Sequence, residues 1–204
     1  MKIAVYGASG MVGSRIVAEA VSRGHEVTGV TRSGGEFPAG VQAVQASAND
    51  VASVKEIVGD AEAVVVALGP SRTGGSHQDY LDAIDNLIAA ARGTATRLLV
   101  VGGTGGLQIN GQRVVDSPEF PADYKPEALT VAGVLDTLRA TDESVNWTML
   151  HPAYVIAPGE RTGTFRLGLD EPVGESISAE DYAVAVIDEF EKPAHNRKRF
   201  TLGY

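Results

Sequence analysis

Three glycines stand at three-residue spacing near the start of the chain: Gly7, Gly10 and Gly13, within KIAVYGASGMVGSRIVAEA (2–20). They separate a short apolar run, which reads as a strand, from an amphipathic stretch that reads as a helix. A helix N-terminus offers unpaired N–H groups and the positive end of a dipole, a combination suited to a pyrophosphate. Gly7 lets the chain turn sharply, and Gly10 leaves no side chain between backbone and phosphates. Gly13 allows the helix to pack closely on the strand. Glycine inside a helix costs about 1 kcal/mol relative to alanine, so Gly13 calls for such a reason. Ser9, Met11 and Val12 belong to the same turn and are expected to meet the ligand. A strand before the glycines and a helix after them are the context of a dinucleotide-binding turn; the alternative reading is a tight turn that binds nothing.

The end of the second strand bears on which dinucleotide is bound. NAD-binding versions usually present an acid about 20 residues after the turn, bonded to the ribose 2′-OH. Here the segment reads VTRSGG, with Thr31, Arg32 and Ser33 and no acid. The Arg32 fork suits a 2′-phosphate, through charge-assisted bonds worth roughly 1.5–3 kcal/mol. The expected cofactor is NADPH in preference to NADH. Arg15, on the first helix, reads either as a helper or as a solvated surface arginine.

Further candidates stand at later strand ends. ALGPS (67–71) and GGTGG (102–106) place Leu68, Gly69 and Gly102 where the ribose and nicotinamide of a bound cofactor are flanked. Thr104 could orient a substrate carbonyl or the nicotinamide amide, or stabilise its own turn. Of the four histidines, His151 follows the sixth strand in LHPAY and is the best placed to border the nicotinamide, with Pro152 beside it. His77, at a helix start, is a second candidate, and His25 and His195 read as structural. Arg161 and Arg166 could receive an anionic group or pair with Glu160 and Asp170. Phe120, Tyr124, Tyr154 and Phe165 could stack on a flat acceptor or pack under a lid.

These residues need a scaffold, and the pattern supplies one. Strand-like runs at 2–6, 26–31, 41–46, 61–69, 97–103 and 145–150 alternate with helical patterns at 11–22, about 50–59, 76–92 and 126–141. Asn49 or Asp50 could cap the second helix. Residues 104–124 read as a long Gly- and Pro-rich loop, and 151–168 as loop with a short strand at GTFRL. A helix over 178–192 opens with a Ser-x-x-Asp box, and RFTLGY is a final strand. This order predicts an α/β fold with a doubly wound parallel sheet. It reads as one domain over 1–204, whose irregular part (151–204) contributes the substrate side.

Composition narrows the function classes. A formal charge of −9 opposes a nucleic-acid partner. The one basic cluster, HNRKR (195–199), reads as a solvated turn. Without cysteine there is neither a disulfide nor a thiolate metal site or nucleophile. The histidines lack metal-ligand spacing, and no Gly-x-Ser-x-Gly elbow is present. No apolar stretch has the length of a membrane span and no leader is evident, so the expected location is cytoplasmic.

Along its whole length the chain resembles the atypical short-chain dehydrogenases, specifically their small NAD(P)H-binding, NADH-flavin-reductase-like members. The resemblance rests on GASGMVGSRI (7–16), GHEVTGVTRS (24–33), VVGGTGGL (100–107), PGERTGTFRLG (158–168), ISAEDYAVAVIDEFEKP (177–193) and RFTLGY (199–204). Biliverdin-IXβ/flavin reductases and NmrA-like regulators are more distant relatives. It implies a Rossmann fold, an active-site role near Thr104 and a nicotinamide contact from the HPAY backbone. Two departures stand out. Tyr124 is followed four residues later by Ala128, so the usual catalytic Tyr–Lys pair is missing. Ser47 occupies the place of an adenine-contacting Asp, unless Asn49 or Asp50 substitutes. The small-molecule acceptor implied is flat, a flavin or a quinone, because such rings need little side-chain acid chemistry. The other reading is a non-catalytic NADP(H)-sensing regulator.

Overall fold

The sheet follows from the apolar runs. The computed structural model describes residues 1–204, with strands β1 (Lys2–Tyr6), β2 (Glu26–Thr31), β3 (Val41–Gln45), β4 (Ala63–Val66), β5 (Arg97–Val101), β6 (Gln108–Ile109), β7 (Gln112–Arg113), β8 (Asn146–His151), β9 (Val155–Ala157), β10 (Arg166–Gly168), β11 (Ser176–Ser178) and β12 (Lys198–Gly203). Eight of them form one sheet in the order β10-β12-β8-β5-β4-β1-β2-β3, parallel throughout except for β10, which runs antiparallel to β12. Chain order reverses between β1 and β4, so the crevice at their carboxyl ends is the switch point of the sheet. β4 reads AVVV and is buried at every residue, as a strand covered on both faces must be.

The helices are α1 (Met11–Ser22), α2 (Val51–Asp60), α3 (Gln78–Ala91), α4 (Lys125–Arg139) and α5 (Ala179–Glu191). α2, α3 and α4 cover one face through Val54, Val58, Ile84, Leu87, Val134 and Leu138, packed with Tyr6 and Trp147 of the sheet. α1 and α5 cover the other through Ile16, Val17, Tyr182 and Ile187, packed on Val5, Val65 and Leu99. Asp50 caps α2, accepting from the Ala52 and Ser53 amides at 3.1 and 3.5 Å. Ser178 caps α5, accepting from the Asp181 amide at 2.9 Å. No helix is long and apolar enough to cross a membrane.

Four stretches differ from the sequence reading. Residues 104–124 are not plain loop: they form 3-10 turns at Thr104–Gly106, Val114–Asp116 and Ala122–Tyr124 around the β6–β7 hairpin. β9 and β11, too short to show a period, pair in parallel. β8 runs through His151, which therefore lies inside the strand rather than after it. The basic HNRKR segment does turn at Asn196–Arg197 into the last strand, but three of its side chains are engaged with the protein rather than solvated. Arg197, with φ of 54°, donates to the carbonyls of Thr141 (2.6 Å), Asp142 (2.6 Å) and Val145 (2.9 Å). Arg199 is buried and pairs with Asp170 at 2.7 Å, while His195 pairs with Glu189 at 2.7 Å and stacks on Phe200. These three carbonyls lie in the connection between α4 and β8, which Arg197 thereby ties to the start of β12.

Candidate functional site

The turn after β1 is built by contact with its neighbours. Gly7 has φ of +79°, and a Cβ there would lie 2.3 Å from the Ala67 carbonyl oxygen at the end of β4. A Cβ on Gly13 would lie 2.1 Å from the Gly7 carbonyl oxygen, so the helix rests directly on the turn. Gly10 is different. Its Cβ would meet only the Gly7 oxygen, at 3.2 Å, and otherwise open space. Gly10 is also the N-cap of α1, with no side chain capping the helix and no acid in its first turn. The uncapped end of a 12-residue helix therefore faces the crevice.

Two adjoining cavities occupy the carboxyl edge of the sheet. The smaller, about 570 Å³, is bounded by Gly7, Ser9, Gly10, Thr31, Arg32 and Ser33, with Ser47 and Asn49 across from them. Asp50 is engaged as the α2 cap, so Asn49 is the polar side chain that borders this cavity beside Ser47. Thr31 Oγ1 and the phenol oxygens of Tyr6 and Tyr80 are buried on its wall without a hydrogen-bond partner. The larger cavity, about 1290 Å³, is bounded by Met11, Val12 and Gly13 on one side and by Gly102, Thr104 and Pro152 on the other. Leu68 and Gly69 border both. An extended ligand with a diphosphate in its middle fits this arrangement. The diphosphate would meet the bare backbone at Gly10, and the hydroxyls without partners would face its nucleoside end.

Thr104 lies at the cavity, but its hydroxyl donates to the Ala153 carbonyl at 2.8 Å and faces the Pro152 carbonyl at 3.2 Å. It ties the β5 turn to the segment after β8. His151 does not border the groove. Its side chain is fully buried, and its ring lies against Gly102 and Gly106, where a Cβ would come within 2.8 Å of a ring atom. Gly102 is thus required by the imidazole behind it. Nδ1 lies 2.7 Å from the Gly103 carbonyl, which can only accept, so Nδ1 carries the proton and Nε2 is bare. Burial lowers the His151 pKa to about 4, helped by the Arg199 and Arg139 charges and opposed by the Gly103 bond. The ring is neutral at physiological pH and positions a turn.

His77 is likewise committed, to Thr130 Oγ1 at 2.7 Å and to the Ser71 carbonyl at 3.1 Å. Arg15 is no free surface group but pairs with Glu180 at 3.0 Å. Arg161 pairs with neither Glu160 nor Asp170. It forms a two-bond pair with buried Glu19 on α1, at 2.7 and 2.8 Å. Arg166 donates to the main-chain oxygen of Tyr204. The GERTG loop is held from α5: Asp181 accepts from the amides of Thr162 (2.9 Å) and Gly163 (2.7 Å), from the Thr162 hydroxyl and from Tyr204 Oη (2.7 Å). Burial alone would raise the Asp181 pKa, yet these donors hold it below the usual carboxylate value.

Phe120, Tyr124 and Tyr154 line the larger cavity, whereas Phe165 packs against the α1/α5 core. Residues the sequence reading did not single out also line it, among them Arg72, Arg113 and Glu127. A charged residue in the Gly-rich stretch GPSRTGG, right after a strand at the switch point, was the available signal for Arg72.

Comparison with known proteins places this geometry in a family. A model described as NAD(P)H-binding matches residues 7–193. The "Uncharacterized protein YwnB" of Bacillus subtilis (strain 168) is 40% identical, over 99% of this chain and 98% of its own. Among solved structures, a "putative NADH-flavin reductase" from Streptococcus pneumoniae TIGR4 is 36% identical with a TM-score of 0.87, covering 99% of this chain and 98% of that one. A "Putative exported protein" from Burkholderia pseudomallei is 39% identical with a TM-score of 0.89, covering 100% of both chains. Its bare glycine turn, its crevice at the switch point and these full-length likenesses mean that the chain belongs to the NAD(P)H-binding family.

Proposed function

We propose that the protein is an NADPH-dependent oxidoreductase that passes a hydride to a flat acceptor, a flavin or a quinone. One observation carries the reading: the dinucleotide groove opens at Leu68 and Gly69 into a cavity of about 1290 Å³ bordered by Phe120, Tyr124 and Tyr154. A ring system can stack there beside the cofactor. The dinucleotide, when bound, supplies the hydride, two electrons with one proton. What the chain contributes is placement. The α1 N-terminus and Gly10 receive the diphosphate, and the β5 turn, held by Thr104 and His151, forms one wall of the acceptor cavity.

The chain offers neither a Tyr–Lys pair nor a titrating histidine at this wall, because His151 is buried and neutral. An acceptor that takes hydride without a protein acid fits that chemistry, and the second proton can come from water. For the cofactor, Arg32 is exposed on the smaller cavity, forms no ion pair with a carboxylate, and has Ser33 beside it. A guanidinium so placed favours a 2′-phosphate.

The test is NADPH and NADH oxidation in the presence of FMN, FAD or a quinone. Turnover that is faster with NADPH supports the reading. Tight cofactor binding with no turnover across the panel would replace it with an NADP(H)-sensing regulator.

A further inference from the structure

The two cavities share six residues: Gly10, Ala67, Leu68, Gly69, Pro70 and Arg72. Arg72 alone among them is charged. It therefore stands at the throat between the cofactor groove and the acceptor cavity, on the loop between β4 and α3. That loop has a fixed base. Ser71 Oγ accepts from the amides of Thr73 (3.3 Å) and Gly75 (3.1 Å), and His77 ties the Ser71 carbonyl to Thr130 on α4.

The arginine itself is loosely held. Its Nε and Nη2 both reach one oxygen, Glu127 Oε1, at 2.9 Å, and its side chain is 80% exposed. Glu127 is largely covered, but with the guanidinium in solvent and both bonds on one oxygen the pair contributes little and is readily exchanged. The other arginine of the acceptor cavity, Arg113, is locked by two bonds to Asp116, at 2.7 and 3.1 Å. In a chain of net charge −9, an anionic acceptor would be repelled unless one cation were free to change partners. Arg72 is that cation, and a phosphate offers its fork the two-bond geometry that Glu127 does not.

We propose that Arg72 recognises the anionic tail of the acceptor, and that the acceptor is a flat ring bearing a phosphomonoester, as in flavin mononucleotide. This rests on the reading of the larger cavity as an acceptor site. Glu127 is the internal competitor that holds the guanidinium until the phosphate displaces it.

The experiment compares FMN with riboflavin, which share the ring and differ in the phosphate. Binding is read as quenching of flavin fluorescence by NADP⁺-saturated protein, so turnover is not needed. Wild type is expected to bind FMN about ten- to a hundred-fold more tightly than riboflavin, the range of a charge-assisted pair. Arg72→Ala brings that ratio down to roughly one, Arg72→Lys retains an intermediate ratio, and Glu127→Gln tightens FMN. Equal binding of the two flavins by wild type, no flavin binding, or a ratio that survives Arg72→Ala overturns the proposal. So does a loss of NADPH affinity in Arg72→Ala with the flavin ratio intact, which would assign Arg72 to the cofactor's own phosphates. Selective FMN binding without reduction refutes the reductase reading alone, whereas reduction of both flavins with equal affinity refutes the Arg72 proposal alone.

Discussion

Replacing Gly10 and Gly7 one at a time separates ligand approach from folding. At Gly10 the backbone is extended (φ −72°, ψ 169°), which alanine adopts freely, and the new Cβ would touch only the Gly7 oxygen at 3.2 Å. The remaining effect on folding is that alanine caps a helix less well than glycine, a cost below about 1 kcal/mol. For a chain of this length that is a fall in Tm of no more than about 4 °C. At Gly7 the left-handed backbone costs about 1–2 kcal/mol for alanine. The overlap with the Ala67 oxygen, at 2.3 Å, adds about 1–3 kcal/mol. Together they predict a fall of roughly 5–15 °C. The assay is thermal melting without cofactor beside titration with NADPH. Gly10→Ala should melt nearly as wild type yet bind at least about ten-fold more weakly, because on the proposed placement its methyl stands where the diphosphate meets the main chain. Wild-type affinity in Gly10→Ala would refute the placement of the diphosphate, and an unchanged Tm in Gly7→Ala would refute the packing of the turn.

Three further outcomes follow from the same geometry. Arg32→Ala should weaken NADPH by about ten- to a hundred-fold and leave NADH unchanged in parallel titrations; equal loss of both would remove its role in cofactor choice. Asp181 has a lowered pKa, so its contribution to stability is present above the unfolded value near 3.9 and is lost as pH falls through the folded value. Melting curves at stepwise lower pH should show a shallower acid limb in Asp181→Asn, starting from a lower Tm at pH 7. His151 titrates near 6.5 when unfolded and at about 4 when folded, so stability should decline as pH drops from about 6.5 towards 4. His151→Asn, which keeps a donor for the Gly103 carbonyl, should flatten that interval, and an unaltered slope would mean the imidazole is reached by water.

The parts of the fold that were legible in the sequence are those where one local rule sufficed. β1, α1 and β2 carry an apolar run, a glycine turn and a helical period in immediate succession, and their bounds match the reading. The Ser-x-x-Asp box at Ser178 likewise needs only neighbours in sequence. What was not legible depends on partners far along the chain. Arg161 finds Glu19, and Arg199 finds Asp170, because α1 meets the GERTG loop and β12 meets the β10 turn in space. His151 looked like a crevice residue because it ends a strand. Its ring turns inward, towards space that exists only because Gly102 and Gly106 lack side chains. The hairpin at 108–113 is too short for any period to announce it.

One topological fact bears on how the molecule is made. β12 lies inside the sheet, between β8 and β10, although it follows both of them in sequence. During synthesis β10 therefore emerges with no neighbour, and the flank of β8 stays open until Phe200 and Leu202 arrive. A nascent chain halted before Lys198 would carry an apolar, unpaired border of the kind that chaperones bind and that seeds aggregation. Pairing of β8 and β10 through β12 can therefore be completed only after residues 198–203 have left the ribosome.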